Sequence, residues 1–471
     1  AENVKRVVVV TDEPNKYPAA TRWPEELVVK NRSELDSVQR ELAAIEGVTV
    51  LIYDQTCAAE KRRRRKKGEM KDPDRRVIIN EIVCEGCGDC GVKSNCVSVQ
   101  PLETEFGRKR VIDQSSCNKD FSCLDGFCPA LVTVHGARPR KAEIKNPQDF
   151  PGLPRPKVRE IGAKPCGILV TGVGGTGVVT IGAILGMAAH LEGKGCGSID
   201  MAGLAQKGGA VYSHVKIGAK PEDIHAIRVA AGEADLVLGC DLVVSGTKRV
   251  LAAVRKDETG VVVNTAEIFP GDFTHDPDFS LHPEGIKRAI RQAAGEHVDF
   301  IDATGIATAL LGNSIAANMF MLGYAWQKGL VPLDDASLLQ AIALNGEAVD
   351  MNQAAFLWGR RQAANAAAVE ALAAPRRSTA TQRQSRSLDE LIEMRVSFHT
   401  GYQNEAYAMR YSAFVRHVEE AERVKVPGRH DLAEAAARYY FKLLAIKDEY
   451  EVARLYSDGS FADQIGASFE G

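Results

Sequence analysis

Short apolar runs alternate with stretches of helical periodicity along this chain. Runs rich in Val, Ile and Leu that end at polar or turn residues predict strands at residues 7–10, 48–53, 77–79, 110–112, 131–134, 168–170, 211–217, 236–239, 261–264 and 299–302. Apolar residues three and four apart predict helices at 33–46, 313–327, 338–368, 387–424, 430–446 and 447–456. A further helix is predicted to follow the strand at 168–170 and to end at about residue 191. Ser33 is expected to cap the first helix, and Ser387 with Glu390 forms a capping box.

These elements predict an α/β multidomain protein. An α/β segment with a basic loop is predicted at 1–75 and a small α+β domain at 76–137. A proline-bearing linker, 138–166, leads to a second and larger α/β domain at 167–371. A polar linker, 372–387, and a helical segment, 388–471, follow. In the larger α/β domain, strands alternate with helices, which implies a mostly parallel, doubly wound sheet covered on both faces.

Composition adds limits to this picture. The 471 residues are 45% hydrophobic and 26% charged, with a formal net charge of −3. This is ordinary globular composition, and it indicates no nucleic-acid binding by the chain as a whole. No apolar run is long enough for a membrane span, and the start AENVKRVVVV lacks the pattern of an export signal. We therefore expect a cytoplasmic protein.

A basic run, residues 61–67, interrupts the N-terminal part. Such a run is typical of a solvated or disordered loop, which is the interpretation we favour. Docking of an acidic electron carrier or of another part of the same assembly is the alternative. Nucleic-acid binding has little support, because no aromatic residues are interleaved with the charges.

Seven cysteines in a short stretch carry the strongest chemical signal. They are Cys84, Cys87, Cys90, Cys96, Cys117, Cys123 and Cys128, and Pro129 follows the last. Three cysteines at two-residue gaps with a distant Cys-Pro is similar to the way bacterial ferredoxins hold iron–sulfur clusters. By that logic Cys84, Cys87, Cys90 and Cys128 hold one four-iron cluster, and Cys96, Cys117 and Cys123 hold a second.

Asp120 stands midway between Cys117 and Cys123, where a ferredoxin has its middle cysteine. A carboxylate is a harder ligand than a thiolate and holds this iron less firmly. The second cluster is therefore predicted to be a three-iron cluster, or a four-iron cluster with Asp120 or no protein ligand at its fourth iron.

Three other uses of these cysteines are weaker. Zinc needs four ligands per site, but seven cysteines divide poorly into fours and no histidine lies between residues 84 and 128. Disulfides are not expected in a reducing compartment. Buried cysteines without a function do not explain this density.

A glycine loop follows the strand at 168–170. Gly172, Gly174 and Gly177, together with Gly175, match a dinucleotide fingerprint placed between a strand and a helix. The fingerprint needs an acidic residue about 20 positions on, and the only candidate, Asp200, is further away. Three interpretations of this loop remain open. It binds a nicotinamide or flavin nucleotide, it is a structural turn, or it contacts a phosphate of coenzyme A or thiamine diphosphate.

A second glycine-bearing segment, AQKGGA, contains Lys207, which either contacts an anionic ligand or partner or is a surface lysine in a turn.

Taken together, the segments CEGCGDCGVKSNC, QSSCNKDFSCLDGFCP, GVGGTGVVTIG, AGLAQKGGAVYSHVKIG and GNSIAANMFMLGYA resemble indolepyruvate ferredoxin oxidoreductase in its long, fused single-chain form. The resemblance covers essentially the whole chain. It implies that residues 1–75 are the end of a thiamine-diphosphate-type domain plus a basic loop, and that 76–137 are a ferredoxin-like module. Residues 167–371 then correspond to the γ-type domain and 388–471 to the appended helical segment.

The resemblance implies oxidative decarboxylation of an aryl pyruvate to an acyl-CoA, with electrons passed through the two clusters to ferredoxin or a similar acceptor. Thiamine diphosphate and Mg²⁺ would be bound by an upstream domain, since no GDG-to-NN motif is found here. The sequence is then expected to be a portion of the enzyme that works with that domain, in a homo-oligomer. Two alternatives are a nicotinamide- or flavin-linked iron–sulfur oxidoreductase and a noncatalytic electron-transfer subunit.

Overall fold

The structure of the protein is a computed structural model. It describes residues 3–140, 152–162, 164–174, 177–202, 209–267, 271–276, 278–373 and 387–471. The chain forms two compact units. The first contains residues 1–74 and 118–120, and the second contains 75–117 and 121–471. No helix in the described ranges is long and apolar enough to cross a bilayer.

The first unit is a small parallel sheet with helices. Its strands are β1 (Val4–Thr11), β2 (Val28–Asn31) and β3 (Val48–Asp54), in the order β2-β1-β3. Its helices are α1 (Leu35–Ala43) and α2 (Ala58–Lys66). Val8 and Val10 of the central strand pack on Val38 and Leu42 of α1. The strands predicted at 7–10 and 48–53 are confirmed, while the half-buried β2 was not predicted.

Two local predictions in this unit were wrong. The basic run is not a loop but most of α2, where Glu60 pairs with Arg63 and Arg64 one turn on. Ion pairs at this spacing offset the repulsion among like charges on a helix. Ser33 is not the helix cap, because a 3-10 turn precedes α1 and the side chain of Asn31 accepts from Ser33 N there.

The cysteine-rich domain opens the second unit. Its elements are β4 (Arg75–Ile79), α3 (Asp89–Ser94), β5 (Val99–Thr104), β6 (Gly107–Ile112), β7 (Leu131–His135) and β8 (Arg138–Pro139). β4 pairs antiparallel with β7, and β5 with β6. The strands predicted at 77–79, 110–112 and 131–134 are confirmed.

A six-stranded sheet of order β10-β11-β9-β12-β13-β14 forms the centre of the larger α/β domain. Its strands are β9 (Cys166–Val173), β10 (Gly195–Ala202), β11 (Ala210–Gly218), β12 (Leu236–Gly239), β13 (Gly260–Asn264) and β14 (Val298–Ile301). The four strands β9, β12, β13 and β14 are parallel neighbours, whereas β11 runs antiparallel to both β9 and β10.

The helices of this domain are α4 (Val178–Leu191), α5 (Leu242–Ser245), α6 (Lys248–Ala253), α7 (Pro283–Ala294), α8 (Ala303–Leu311), α9 (Ala317–Gln327), α10 (Asp335–Asn345), α11 (Val349–Ala364) and α12 (Ala366–Ala373). The helix predicted over 338–368 is broken at Gly346, which has a φ of 71°, and at Asn365.

Both faces of the sheet are covered, as predicted for a doubly wound domain. Ile168 and Val170 of β9 pack in a core with α4 and α8 to α11. Leu169, between them, points into a second core with α5, α6 and α7. The alternation follows from the two-residue repeat of a strand.

The C-terminal segment consists of α13 (Leu388–Tyr402), α14 (Glu405–Lys425), α15 (Asp431–Leu444), α16 (Glu449–Ser457) and α17 (Ser460–Ser468), followed by the short strand β15 (Phe469–Glu470). Ser387 caps α13 through Glu390 N, as predicted. The helix predicted to continue to 424 stops at Tyr402, since Asn404 caps a new helix by accepting from Tyr407 N. The fold class predicted from the sequence is therefore confirmed, with a mixed α/β body and a helical C-terminal segment.

Helices α9 and α11 cross at two glycines. A Cβ on Gly323 would lie 1.9 Å from the carbonyl oxygen of Phe356, and a Cβ on Gly359 would lie 1.9 Å from that of Phe320. We expect Gly323→Ala to lower the free energy of unfolding by about 3 kcal/mol, because the two backbones must separate. Gly285→Ala in α7, where nothing lies within 4 Å of the added carbon, is the control, with a small gain. Urea denaturation of both variants measures this, and equal stabilities would contradict it.

His399 of α13 is buried among aromatic rings. The ring centroids of Phe441 and Tyr411 lie 4.9 Å and 5.1 Å from its own. Within the described residues, neither imidazole nitrogen has a hydrogen-bond partner. Burial, with a smaller contribution from the Arg395 charge, lowers the pKa of His399 to about 4. The neutral ring is therefore the form that the folded segment accommodates.

This environment predicts a pH dependence of stability. In the unfolded chain a histidine titrates near 6.5, so the contribution of neutral His399 is complete above that pH and is lost as the pH falls towards 4. The loss is on the order of 2–3 kcal/mol. Urea midpoints at pH 7 and pH 5 should differ less in His399→Phe than in the wild type. His417→Phe, at an exposed position of α14, should leave the difference unchanged.

Candidate metal centre

The first cysteine loop is built directly on the end of β4. The side chain of Asn80 accepts hydrogen bonds from the N–H groups of Ile82 and Val83, and its carbonyl accepts from Cys84 N at 2.9 Å. These bonds turn the chain back over the strand. Cys84 is thereby fixed in a buried position, with 7% of its surface exposed.

Two glycines shape the rest of this loop. Gly86 has a φ of 72°, and a Cβ there would lie 2.2 Å from the carbonyl oxygen of Arg108. Its N–H donates to Cys84 Sγ at 3.3 Å. Gly88, with a φ of 81°, precedes α3, which presents the buried Cys90. The spacing of two residues between cysteines thus depends on left-handed backbone that only glycine adopts without strain.

Three of the thiols assigned to the first cluster share one hydrophobic core, in which Cys84 and Cys90 are buried and against which Cys128 packs. Burial above all raises the pKa of Cys90 to about 11; the neighbouring Cys84, Cys128 and Cys87 contribute to this value, and Arg110 opposes it. The loop between β4 and α3 and the Cys-Pro before β7 therefore meet at this core. A thiolate in this position needs positive charge beside it, which a bound metal supplies.

Basic side chains surround the same loop. Lys109 of β6 is buried and donates from Nζ to the carbonyl oxygen of Cys84 at 2.7 Å. Lys447 donates to the same oxygen at 3.4 Å and pairs with Glu85 at 2.5 Å. Burial and then the Lys447 charge lower the pKa of Lys109 to about 8. Arg110 is also buried.

The second group of cysteines lies against the same hydrophobic core. Cys96, Cys117 and Cys123 are half-buried and pack on it. Cys117 N donates to the carbonyl of Asp113, and Cys123 lies in a 3-10 turn, Ser122–Leu124.

Asp120 is the last residue of the short segment 118–120, which belongs to the first compact unit. Its assignment as a ligand of the second cluster stays a prediction.

All eleven cysteines have free thiols. In the described part of the chain, no three His, Cys, Asp or Glu side chains converge so as to hold a single metal ion. A four-iron cluster makes a different demand, because each thiolate binds its own iron and the four sulfurs surround a volume rather than a point. The four thiols, two of them buried, one half-buried and one exposed, fit such a cluster in the chemistry of their donors.

The glycine loop after β9 is shaped by packing. A Cβ on Gly172 would lie 2.6 Å from Val178 Cγ2 and 3.2 Å from Cys240 Cβ, and one on Gly177 would lie 2.8 Å from Asn318 Nδ2. Gly174 N donates to the carbonyl of Gly209. These contacts favour the structural-turn interpretation at Gly172 and Gly177. Gly175 and Lys207 lie outside the described residues.

Asp200, the candidate for a nucleotide ribose, gives little support to the nucleotide alternative. It is exposed on the edge strand β10, two strands away from β9 in the sheet. A nucleotide-binding fold would need this acid at the end of the strand beside the glycine loop.

Sequence reasoning missed the basic residues around Cys84. Lys109 lies in the Arg-Lys-Arg triplet of β6, and strand alternation does not indicate its burial, because the next residue, Arg110, is buried as well. Lys447 gave no local sign either, since the contact spans 363 residues of sequence.

Comparison with known proteins places this architecture in a class of oxidoreductases. Residues 167–362 match a family model described as pyruvate ferredoxin/flavodoxin oxidoreductase. Residues 388–471 match a family of unknown function (DUF6537). The indolepyruvate oxidoreductase subunit IorB of Methanothermobacter thermautotrophicus is 31% identical over 196 residues, which are 40% of this chain and 93% of that protein. The chain therefore belongs to the 2-oxoacid:ferredoxin oxidoreductase family.

Other similar proteins cover the same part of the chain. The pyruvate/ketoisovalerate oxidoreductases common subunit gamma of Thermococcus kodakarensis is 30% identical over 163 residues, 35% of this chain and 78% of that protein. Pyruvate oxidoreductase subunit PORC of Thermotoga maritima matches at 22% identity with a TM-score of 0.31, over 42% of this chain and 96% of that one. The 2-oxoglutarate:ferredoxin oxidoreductase of Magnetococcus marinus matches at 15% identity with a TM-score of 0.32, over 56% of this chain and 42% of that one.

The first cysteine loop yields a prediction that needs no metal. In Gly86→Ala the new carbon meets the Arg108 carbonyl, so we expect the loop to be displaced and Cys84 and Cys90 to be alkylated at least tenfold faster in reduced apoprotein. The cost is about 3 kcal/mol, from the close contact and the positive φ. Gly136→Ala has a similar φ, 74°, with nothing within 4 Å, and should leave both rates near the wild type. Mass spectrometry of the alkylated peptides gives the rates, and equal rates in the two variants would refute the role of Gly86.

Proposed function

We propose that this chain is the electron-transfer and γ-type part of an indolepyruvate-type 2-oxoacid oxidoreductase. The overall reaction is the oxidative decarboxylation of an aryl pyruvate to an acyl-CoA, with two electrons passed on to ferredoxin or a similar acceptor. The observation that carries this proposal is that Cys84, Cys90 and Cys128 meet in one hydrophobic core, with Cys87 in the same loop between Cys84 and Cys90. Family membership supports the reaction class, and the relatives' names support indolepyruvate as the substrate type.

In this proposal Cys84, Cys87, Cys90 and Cys128 hold the first four-iron cluster. A bound cluster supplies one-electron redox chemistry, with a potential set by its surroundings. The chain contributes the rest: Gly86 N–H donates to one of the sulfurs, Asn80 fixes the loop, and the core of the domain limits access of water.

The second cluster is proposed on Cys96, Cys117 and Cys123, with Asp120 or no protein group at the fourth position. A three-iron form is part of this proposal, because a carboxylate holds iron less firmly than a thiolate does. The common core that supports both groups of cysteines is the structural argument for placing two clusters in one small domain.

The remaining partners are also proposals. A thiamine-diphosphate domain of the same enzyme, with Mg²⁺, would bind the 2-oxoacid, and coenzyme A would be the co-substrate. The glycine loop with Gly174, Gly175 and Lys207 would contact a phosphate on the γ-type side. We propose a cytoplasmic homo-oligomer that reduces ferredoxin.

The test of this proposal is the metal content of anaerobically purified protein. Iron and acid-labile sulfide per chain should come to about seven or eight irons, and EPR should show two signals. Both appear after dithionite if each cluster has four irons, whereas a three-iron second cluster gives its signal before dithionite. Zinc, or no metal, would overturn the electron-transfer proposal. Reduction by the 2-oxoacid after the thiamine domain is supplied in trans, with no effect of NADH, distinguishes the proposal from both a nicotinamide-linked enzyme and a noncatalytic subunit.

Substitution of single ligands tests the assignment to sites. Cys90→Ser should lose about four irons per chain and one of the two EPR signals, and Cys117→Ser should lose the other signal. Cys57→Ser, at an exposed cysteine of the first unit, is the matched control and should keep the full iron content. Loss of the same signal in Cys90→Ser and Cys117→Ser would show that the assignment to two sites is wrong.

A further inference from the structure

The C-terminal segment 388–471, called here the helical cover, contributes to the core that houses the cysteines. Leu455 of α16 is 1% exposed and lies in one hydrophobic core with Cys84, Cys90 and Ile79. Val452 and Tyr456 of α16 and Phe398 of α13 pack against that core. The cysteine-rich domain thus depends on this segment for part of its interior.

The helical cover reaches both parts of the four-cysteine group. On one side, Lys447 Nζ contacts the Cys84 carbonyl at 3.4 Å and Glu85 at 2.5 Å. On the other, the Tyr456 hydroxyl donates to the carbonyl of Pro129 at 2.5 Å, directly after Cys128. Burial and the neighbouring Cys128 raise the pKa of Tyr456.

We propose that the helical cover sets the reduction potential of the cluster held by Cys84, Cys87, Cys90 and Cys128, with Lys447 as the positioning residue that places a positive charge beside it. This inference rests on the function proposed above. It assigns a role to a segment that matches a family of unknown function.

The physical argument is electrostatic. Reduction adds one negative charge to the cluster, and a nearby cation stabilises the reduced form more than the oxidised form. Lys447 is 17% exposed, so its charge is less screened than that of a surface lysine. Its pairing with Glu85 partly cancels the effect, and the buried Lys109 on the same carbonyl adds to it. Removing the Lys447 charge leaves Glu85 uncompensated and should lower the potential.

The test is an EPR-monitored redox titration of the full chain, with its iron and sulfide content measured first. Lys447→Gln retains a hydrogen-bond donor toward Cys84 but not the charge, and its midpoint should move to more negative potential. Lys447→Arg should keep the wild-type value. Lys425→Met, which removes an exposed lysine at the end of α14, is the control for net charge and should also keep it.

Glu85 gives a second variant with the opposite sign. Its side chain is 64% exposed, so Glu85→Gln is expected to fold, and its midpoint should move to more positive potential. In the double variant Glu85→Gln with Lys447→Gln, the midpoint should return towards the wild type, which a loss of packing would not produce.

Each outcome decides between the two proposals. Wild-type protein without iron would overturn the proposed function itself. Iron-loaded Lys447→Gln with an unchanged midpoint would overturn the role of the helical cover and leave the proposed function standing. Loss of the cluster in Lys447→Gln but not in Lys447→Arg would also overturn it, since Lys447 would then hold the site together rather than tune it.

Discussion

The cysteine-rich domain depends on the ion pairs of one buried carboxylate, that of Glu105. Its side chain is 1% exposed, and Arg395 and Arg438 of the helical cover bind it at 3.4 Å and 2.6 Å. A buried charge without a partner costs several kcal/mol, so the hairpin β5–β6 and the cover must meet at this point. Phe106, the next residue, enters the aromatic core of the cover beside Phe398 and Phe441.

The ion pairs of Glu105 with Arg395 and Arg438 fix the start of β6 against the helical cover. This strand carries Lys109 and Arg110 to the loop of Cys84 and Cys90. Lys447 approaches that loop from the cover. A domain of about 60 residues buries too little apolar surface to be secure alone, and the contribution of Leu455 to its core offsets this shortage. The same two segments, β6 and the helical cover, therefore supply both the packing and the charges near the thiols.

Local pattern was sufficient for many of the strands, because a strand's apolar run depends on neighbours in sequence. The apolar run Val7–Val10 predicted β1. The two-residue gaps predicted a loop that gathers thiols, and Cys84 and Cys90 do lie in one core, while their role as ligands stays a prediction. Local pattern was insufficient where contacts are distant or cooperative. Charge density alone predicted a loop at residues 61–67, yet Glu60 pairs one turn on to support a helix. The pairing of Glu105 with Arg395 spans 290 residues and leaves no local trace.

The arrangement of charges around Cys90 also bears on how the proposed metal site would be loaded. With a pKa of about 11, Cys90 is a neutral thiol at pH 7 in the metal-free protein, because burial and three neighbouring sulfurs oppose its ionisation. Metal binding must release that proton, so it is favoured as the pH rises. Arg110 already lowers the cost of the thiolate. In the proposed site, the cations beside the buried sulfurs would therefore favour binding of the cluster as well as adjust its potential.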